Sequence, residues 1–199
     1  MEFLAYTTGM IKRFGYTLCK AWQHRKLLRA FDQEPTRQIG TVFDLNLGLE
    51  KAQGIKVLIL DMDGVLTCYG EERPGTSIES WLNSCIQIFG EGCIFILSNK
   101  PTQERASYFK THFKGVELIF PTRKKPYPDG INQILELTKT DPHSVLVIDD
   151  RLLTGVLAAI LSHTEARLVT KPLICLNLRP IPELFFIVLR KIERVLFDF

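Results

Sequence analysis

The sequence has no run of 18 apolar residues, so no membrane-spanning helix is expected. It has no C-x-x-C pair, and its five cysteines (19, 68, 85, 93 and 175) are odd in number. They read as reduced thiols of an intracellular protein rather than a disulfide framework. No G-x-G-x-x-G follows any apolar strand-like run, which disfavours a dinucleotide-binding module. Low-complexity tracts and internal repeats are lacking. The first residues lack the apolar core and small-residue cleavage site of a secretory signal. A net charge of +3 is too slight to indicate nucleic acid as a partner. Acidic residues are scarce only at the start: residues 1–31 hold Glu2 against Lys12, Arg13, Lys20, Arg25, Lys26 and Arg29.

What remains is an ordinary globular mix, 199 residues with 46% apolar, enough for one sizeable domain with a core. Residues 1–38 form a basic segment with Ile11, Phe14, Leu18, Trp22 and Leu28 at helical spacing, broken at Asp32–Pro35. Three readings of it stay open: a membrane-surface helix, a targeting peptide, or a helix packed on the rest of the protein. The domain proper is expected over 39–199. Residues 39–51 read as a short helix ending at Gly54. Strand-like apolar runs follow at 57–61, 94–99, 116–120, 145–150 and 166–170. Helical patterns fall between them, at 76–89, 101–113, 130–139 and 152–162. A last helix is predicted over 183–197, with Pro182 at its first turn. Strands alternating with helices predict an α/β, Rossmann-like parallel sheet flanked by helices, whose sites form at the carboxyl ends of the strands.

Three of those ends are polar. The first strand runs into Asp61-Met62-Asp63-Gly64, the second into Ser98-Asn99, the fourth into Asp149-Asp150. Lys124 and Lys125 lie in the loop after the third. Together they supply what phosphoryl transfer needs: a carboxylate nucleophile, carboxylates for Mg²⁺, and a hydroxyl and an ammonium for phosphoryl oxygens. Singly, each group has a plainer reading, as a turn after a strand, a strand-end cap, a solvated basic loop or a helix N-cap. Their joint arrival at the strand ends argues for a site.

VLILDMDGVLT, FILSN, the Lys-Lys-Pro of 124–126 and VLVIDD, in that order, resemble the haloacid dehalogenase-like (HAD) phosphohydrolases over about residues 55–175. The resemblance implies Asp61 as nucleophile and Mg²⁺ ligand, and Asp63 as general acid/base with its carbonyl on the metal. It implies Gly64, Ser98, Asn99 and Lys125 around the phosphoryl group. Asp150 completes the metal site with Asp149 beside it. Only 37 residues separate Asp61 from Ser98 and 27 separate Ser98 from Lys125, which leaves no interval for a large cap domain. An open site admits a bulky phosphorylated substrate.

IGTVFDLNLGLEKAQGIKVLILDMDGVLT, VIDDRLLTGVL, LVTKPL and the late RKIER (190–194) resemble, more narrowly, the phosphatidylglycerophosphate phosphatases of that superfamily. This likeness implies a lipid phosphate as substrate and an anionic membrane surface as partner. It places the chain in the cytoplasm or on a membrane, facing the mitochondrial matrix if the cell is eukaryotic. The chain departs from the branch in two places. Asp63-Gly64-Val65 stands where the branch has Asp-Asn-Thr. Asp149 to Gly155 reads DDRLLTG where the branch has Gly-Asp-Gln-Leu-Leu-Thr-Asp, so the later acid is replaced by Gly155. A soluble phosphatase acting on a sugar phosphate or phosphoprotein, and a weakly catalytic scaffold, remain the alternatives. The C-terminal LFFIVL (184–189) is read as covering the sheet, with contact to lipid as the other option.

Overall fold

The computed structural model describes residues 2–175 and 180–195. The chain opens with two helices, α1 (Glu2–Gln23) and α2 (Arg25–Gln33), broken at His24. Then come β1 (Gln38–Ile39), α3 (Leu47–Ala52), β2 (Val57–Leu60), α4 (Thr76–Phe89), β3 (Ile94–Ile96), α5 (Gln103–His112) and β4 (Val116–Leu118). The second half holds α6 (Asp129–Thr138), β5 (Val145–Asp149), a π-helical turn (Leu152–Val156) leading into α7 (Leu157–Leu161), β6 (Glu165–Val169) and α8 (Pro180–Val195). The strands form one sheet in the order β1-β6-β5-β2-β3-β4, and every pairing is parallel. This is the expected Rossmann-like α/β fold with helices on both faces and no large cap.

Alternation along the strands explains the two-sided core. Leu58, Leu60, Ile94, Ile96, Leu146 and Ile148 face α3, α4 and α5. Val57, Ile59, Phe95, Leu97, Val145 and Val147 face α6 and α7, and Ala21, Leu28 and Phe31 of the N-terminal helices join that second core. Local signals fix several helix starts. Asn46 accepts the Leu49 N–H at the start of α3, and Thr102 accepts the Arg105 N–H at the start of α5.

Three expectations are corrected. Residues 39–51 are not one helix. Ile39 ends a strand beside β6, Thr41 and Asp44 close a capping box on a 3₁₀ turn over Val42–Asp44, and only Leu47–Ala52 is α-helical. The apolar spacing was helical, but Gly40 and the Thr41 and Asp44 side chains favour a turn. The last helix spans Pro180–Val195, starting three residues before the expected 183 with Pro182 in its first turn as read, and residues 196 and 197 of the expected span lie outside the described residues. Finally, the cysteines are not all free. Cys68 and Cys175, 107 residues apart, are disulfide-bonded at a Cα–Cα distance of 5.7 Å. Cys19, Cys85 and Cys93 are free.

The last helix also departs from the covering role read for it. Its buried side is polar: Glu183 and Glu193 are 2% exposed. Its outward side carries Ile181 (81% exposed), Leu184, Phe185, Val188, Ile192 and Val195. The helix is amphipathic with its apolar stripe facing away from the protein.

Candidate active site

β2, β3 and β5 end side by side at the centre of the sheet, so the residues just beyond them converge. Beyond β2 the chain folds into a tight turn. The N–H groups of Leu66 and Thr67 and the Thr67 hydroxyl all bond the Met62 carbonyl, and the Gly64 N–H bonds the Thr67 carbonyl. Gly64 adopts φ +92, and a Cβ there would lie 2.6 Å from the Asp150 carboxylate. Glycine is thus required on two counts, conformation and close approach.

Lys125 is the hub of the buried charges. Its Nζ lies 2.8 Å from Asp61 and 2.5 Å from Asp149, at 3% side-chain exposure. Burial alone would push the Lys125 ammonium down, but Asp149 and Asp61 outweigh it and hold the group above its ordinary value. Burial, then the charge of Asp149, push the Asp61 carboxyl well above the usual carboxylate range against the pull of Lys125. The same two causes push Asp150 up to about 7, with Arg190 opposing them. Arg190 of α8 donates to Asp150 Oδ2 at 2.5 Å.

Three acids crowded so closely call for another cation. One oxygen from each of Asp61, Asp149 and Asp150 lies within 4.8 Å of the others. Asp150 Oδ1 is buried and has no hydrogen-bond partner among the described residues. All-oxygen donors with a spare buried lone pair fit Mg²⁺.

Asp149 also bears on the missing acid at 155. A Cβ on residue 155 would sit 2.0 Å from the Asp149 carboxylate. The Asp149 side chain therefore fills the space that a side chain at 155 would need. Its other oxygen is held by the Arg151 N–H at 3.0 Å.

Asp61, Asp63, Gly64, Asn99 and Asp150 line one cleft of about 180 Å³. Lys125, Asp149 and Ser98 are buried rather than part of its wall. Ser98 Oγ accepts the Lys100 N–H at 3.0 Å. Asn99 donates to the Lys125 carbonyl, while its Oδ1 has no partner among the described residues. The Asp63 carboxylate is absent from the acid cluster. It is held by both terminal nitrogens of Arg105, at 2.8 and 3.2 Å, and by the Gly70 N–H.

Several residues here were not among the sequence candidates. Arg105 is 1% exposed and also bonds the carbonyls of Lys100 and Glu71, so it ties α5 to the turn after β2. Nothing in QERASYFKTH marked it, because its acid partner lies 42 residues away. Arg190 did carry a signal. Glu183, Arg190 and Glu193 share one helical face, opposite the apolar stripe. Glu193 bonds Arg151, and Glu183 accepts the N–H groups of Tyr69 and Cys175. Arg13, Tyr69, Lys100, Lys124 and Phe186 complete the cleft mouth.

Acids, a buried lysine and a polar rim at the carboxyl edge of this sheet define a HAD-type phosphatase. Residues 24–173 match the family described as mitochondrial PGP phosphatase, and the chain belongs to that family. No curated protein matches it. Among solved structures it is similar to NagD from E. coli K-12, at 14% identity and TM-score 0.47, covering 62% of this chain and 90% of that one. It is also similar to an uncharacterized protein from Listeria monocytogenes serotype 4b, at 14% identity and TM-score 0.46, covering 56% and 76%.

Proposed function

We propose that the protein removes the terminal phosphate of phosphatidylglycerophosphate at a membrane surface, with Mg²⁺ and an aspartyl-phosphate at Asp61. The observation that carries this reading is the cluster of Asp61, Asp149 and Asp150 around Lys125, buried beside an open cleft. Asp61, Asp149, Asp150 and the Asp63 carbonyl would hold Mg²⁺, which supplies positive charge to the acids and to the phosphoryl oxygens.

In the first half-reaction an Asp61 oxygen attacks phosphorus, the bond to the glycerol oxygen breaks, and Asp63 gives that oxygen its proton. In the second, Asp63 takes a proton from water, the water oxygen attacks phosphorus, and the bond to Asp61 breaks. Lys125 opposes the upward push that burial and Asp149 give the Asp61 carboxyl, and it offsets the charge of Asp149. The Ser98 hydroxyl and the Asn99 amide bound the phosphoryl position.

Two features support a membrane setting. The outward stripe of α8 is matched on α1 by Ile11, Phe14, Leu18 and Trp22, the last 69% exposed. Both helices also contribute to the cleft wall, through Arg13 and through Phe186 and Arg190. The apolar stripe on α1 is interleaved with Lys12, Arg13 and Lys20, which complements an anionic bilayer rather than a second basic copy of the chain. No described helix is long and apolar enough to cross a membrane. Because its family is described as mitochondrial, the location we propose is the matrix side of a mitochondrial membrane.

The test is phosphate release from phosphatidylglycerophosphate in mixed micelles, with p-nitrophenyl phosphate and glucose 6-phosphate as soluble comparisons. Wild type with Mg²⁺ is expected to prefer the lipid, and Asp61→Asn or EDTA to abolish release. Unchanged turnover by Asp61→Asn would refute the mechanism, and release from soluble substrates alone would refute the lipid assignment.

A further inference from the structure

The cleft is electrically divided. Asp61, Asp63 and Asp150 occupy its floor, and three cations from three separate segments occupy its rim: Arg13 on α1, Lys100 after β3 and Lys124 after β4. Among the described residues none of the three has a carboxylate within ion-pair distance. That contrasts with the neighbouring Arg105, Lys125, Arg151 and Arg190, which are all paired with acids. Lys100 Nζ instead lies over the Tyr69 ring, 4.5 Å from its centroid. Burial, then the charges of Arg13 and Lys100, push the Lys124 ammonium below its ordinary value. Lys124 therefore feels both other cations across the rim, an arrangement that an anion between them would relieve.

Arg13 is brought there by a specific contact. Tyr16, one turn further along α1, stacks on Tyr127 of the Lys124 loop with ring centroids 4.1 Å apart. Arg123 of that loop is spent elsewhere, on Asp129 and on the Tyr127 face. The loop thus leaves Lys124 free and docks α1 with Arg13 beside it.

We propose that Arg13, Lys100 and Lys124 form a second anion subsite, which grips the phosphodiester that stays on the lipid while the terminal phosphomonoester sits over Asp61. The assignment rests on the proposed lipid substrate and adds how the enzyme selects a doubly phosphorylated headgroup. Each cation would donate charge-assisted hydrogen bonds to the retained diester oxygens. No bond to the diester is made or broken.

The experiment compares wild type with Arg13→Ala, Lys124→Ala and the double variant. It uses neutral-detergent micelles, which remove attraction to a charged bilayer. The substrates are phosphatidylglycerophosphate, phosphatidic acid (a lipid monoester without the diester) and p-nitrophenyl phosphate. The expected result is that kcat/KM for the diphosphate lipid falls about tenfold or more relative to both other substrates. An equal fall on phosphatidic acid would make the rim a general lipid or electrostatic contact and overturn the subsite, as would no fall on any substrate. A binding readout keeps the inference separate from the lipid assignment. Glycerophosphoglycerol, which carries the diester alone, should inhibit p-nitrophenyl phosphate hydrolysis by wild type and lose about tenfold in potency on the double variant. Wild type that ignores phosphatidylglycerophosphate would refute the substrate, whereas wild type and variant equally indifferent to the diester would refute the subsite.

Discussion

At the residue scale, one acid and one glycine, Asp149 and Gly155, share a single volume. The Asp149 carboxylate lies where a side chain at 155 would begin, so Asp149 and Gly155 act as a pair. Gly155→Ala should displace Asp149 and destabilise the protein by about 1–3 kcal/mol, the usual cost of forcing carbon into a packed site. Asp149→Gly should weaken Mg²⁺ activation. The double variant Asp149→Gly with Gly155→Asp should regain activation that either single change loses, measured by Mg²⁺ titration of phosphate release. Singles that behave like wild type would show that neither position touches the metal. Arg105 makes a second prediction. Arg105→Ala leaves the Asp63 carboxylate, only 13% exposed, without its fork of donors. Breaking such a pair costs about 3 kcal/mol, readable as a lowered denaturant midpoint, with a lowered kcat beside it. Arg105→Lys keeps the charge but not the bidentate geometry and should fall between.

Among the elements, α8 carries the clearest conflict between pattern and placement. Helices normally turn their apolar stripe inward, yet this one buries Glu183 and Glu193 and presents Ile181, Phe185 and Val188 to the outside. The inward charges have partners: Glu193 on Arg151, Arg190 on Asp150, and Glu183 on two backbone N–H groups. The same helix therefore steadies an acid of the site and offers an apolar surface. Phe185→Glu should reduce co-sedimentation with phosphatidylglycerol-containing vesicles while shifting stability by no more than about 0.5 kcal/mol, because the residue makes few native contacts to lose. Undiminished vesicle binding would remove α8 from the membrane contact, and a large loss of stability would mean the stripe is covered in solution.

For the whole molecule, the concentration of buried acids should make stability depend on pH and, under the proposed Mg²⁺ binding, on metal. In the folded protein Asp150 ionises at about 7, above its ordinary 3.8. Between those values the folded state keeps a proton that the unfolded chain has released. The contribution of Asp150 is thus full below 3.8 and is lost as pH rises through about 7. Asp61 is shifted in the same direction. In EDTA, the melting temperature of Asp150→Asn should gain on wild type as pH rises toward 7, and a constant difference would contradict the shift. Mg²⁺ bound at these acids as proposed would have to displace the proton, so its apparent affinity should climb over the same range, measurable by the Mg²⁺-induced rise in melting temperature.

The sequence by itself determined what local pattern can encode. Five of the six strands were readable because each is a short, mostly apolar run bounded by turn residues; β2, β3 and β5 are buried on both faces, whereas β4 and β6 expose Glu117 and Glu165. The polar residues after β2, β3 and β5 marked their candidate positions by the same logic, since parallel strands bring their carboxyl ends to one edge. Tertiary structure alone decided the rest. Asp149 and Gly155 share one volume, Arg105 reaches Asp63, Cys68 meets Cys175, and Arg13 from the first helix arrives at a rim built by Lys100 and Lys124. Local periodicity places these residues on helices, strands or loops but says nothing of which distant residue each will meet. A charge or a thiol finds its partner through the path of the backbone, and α8 could turn its apolar stripe outward because partners elsewhere in the fold satisfied its buried charges.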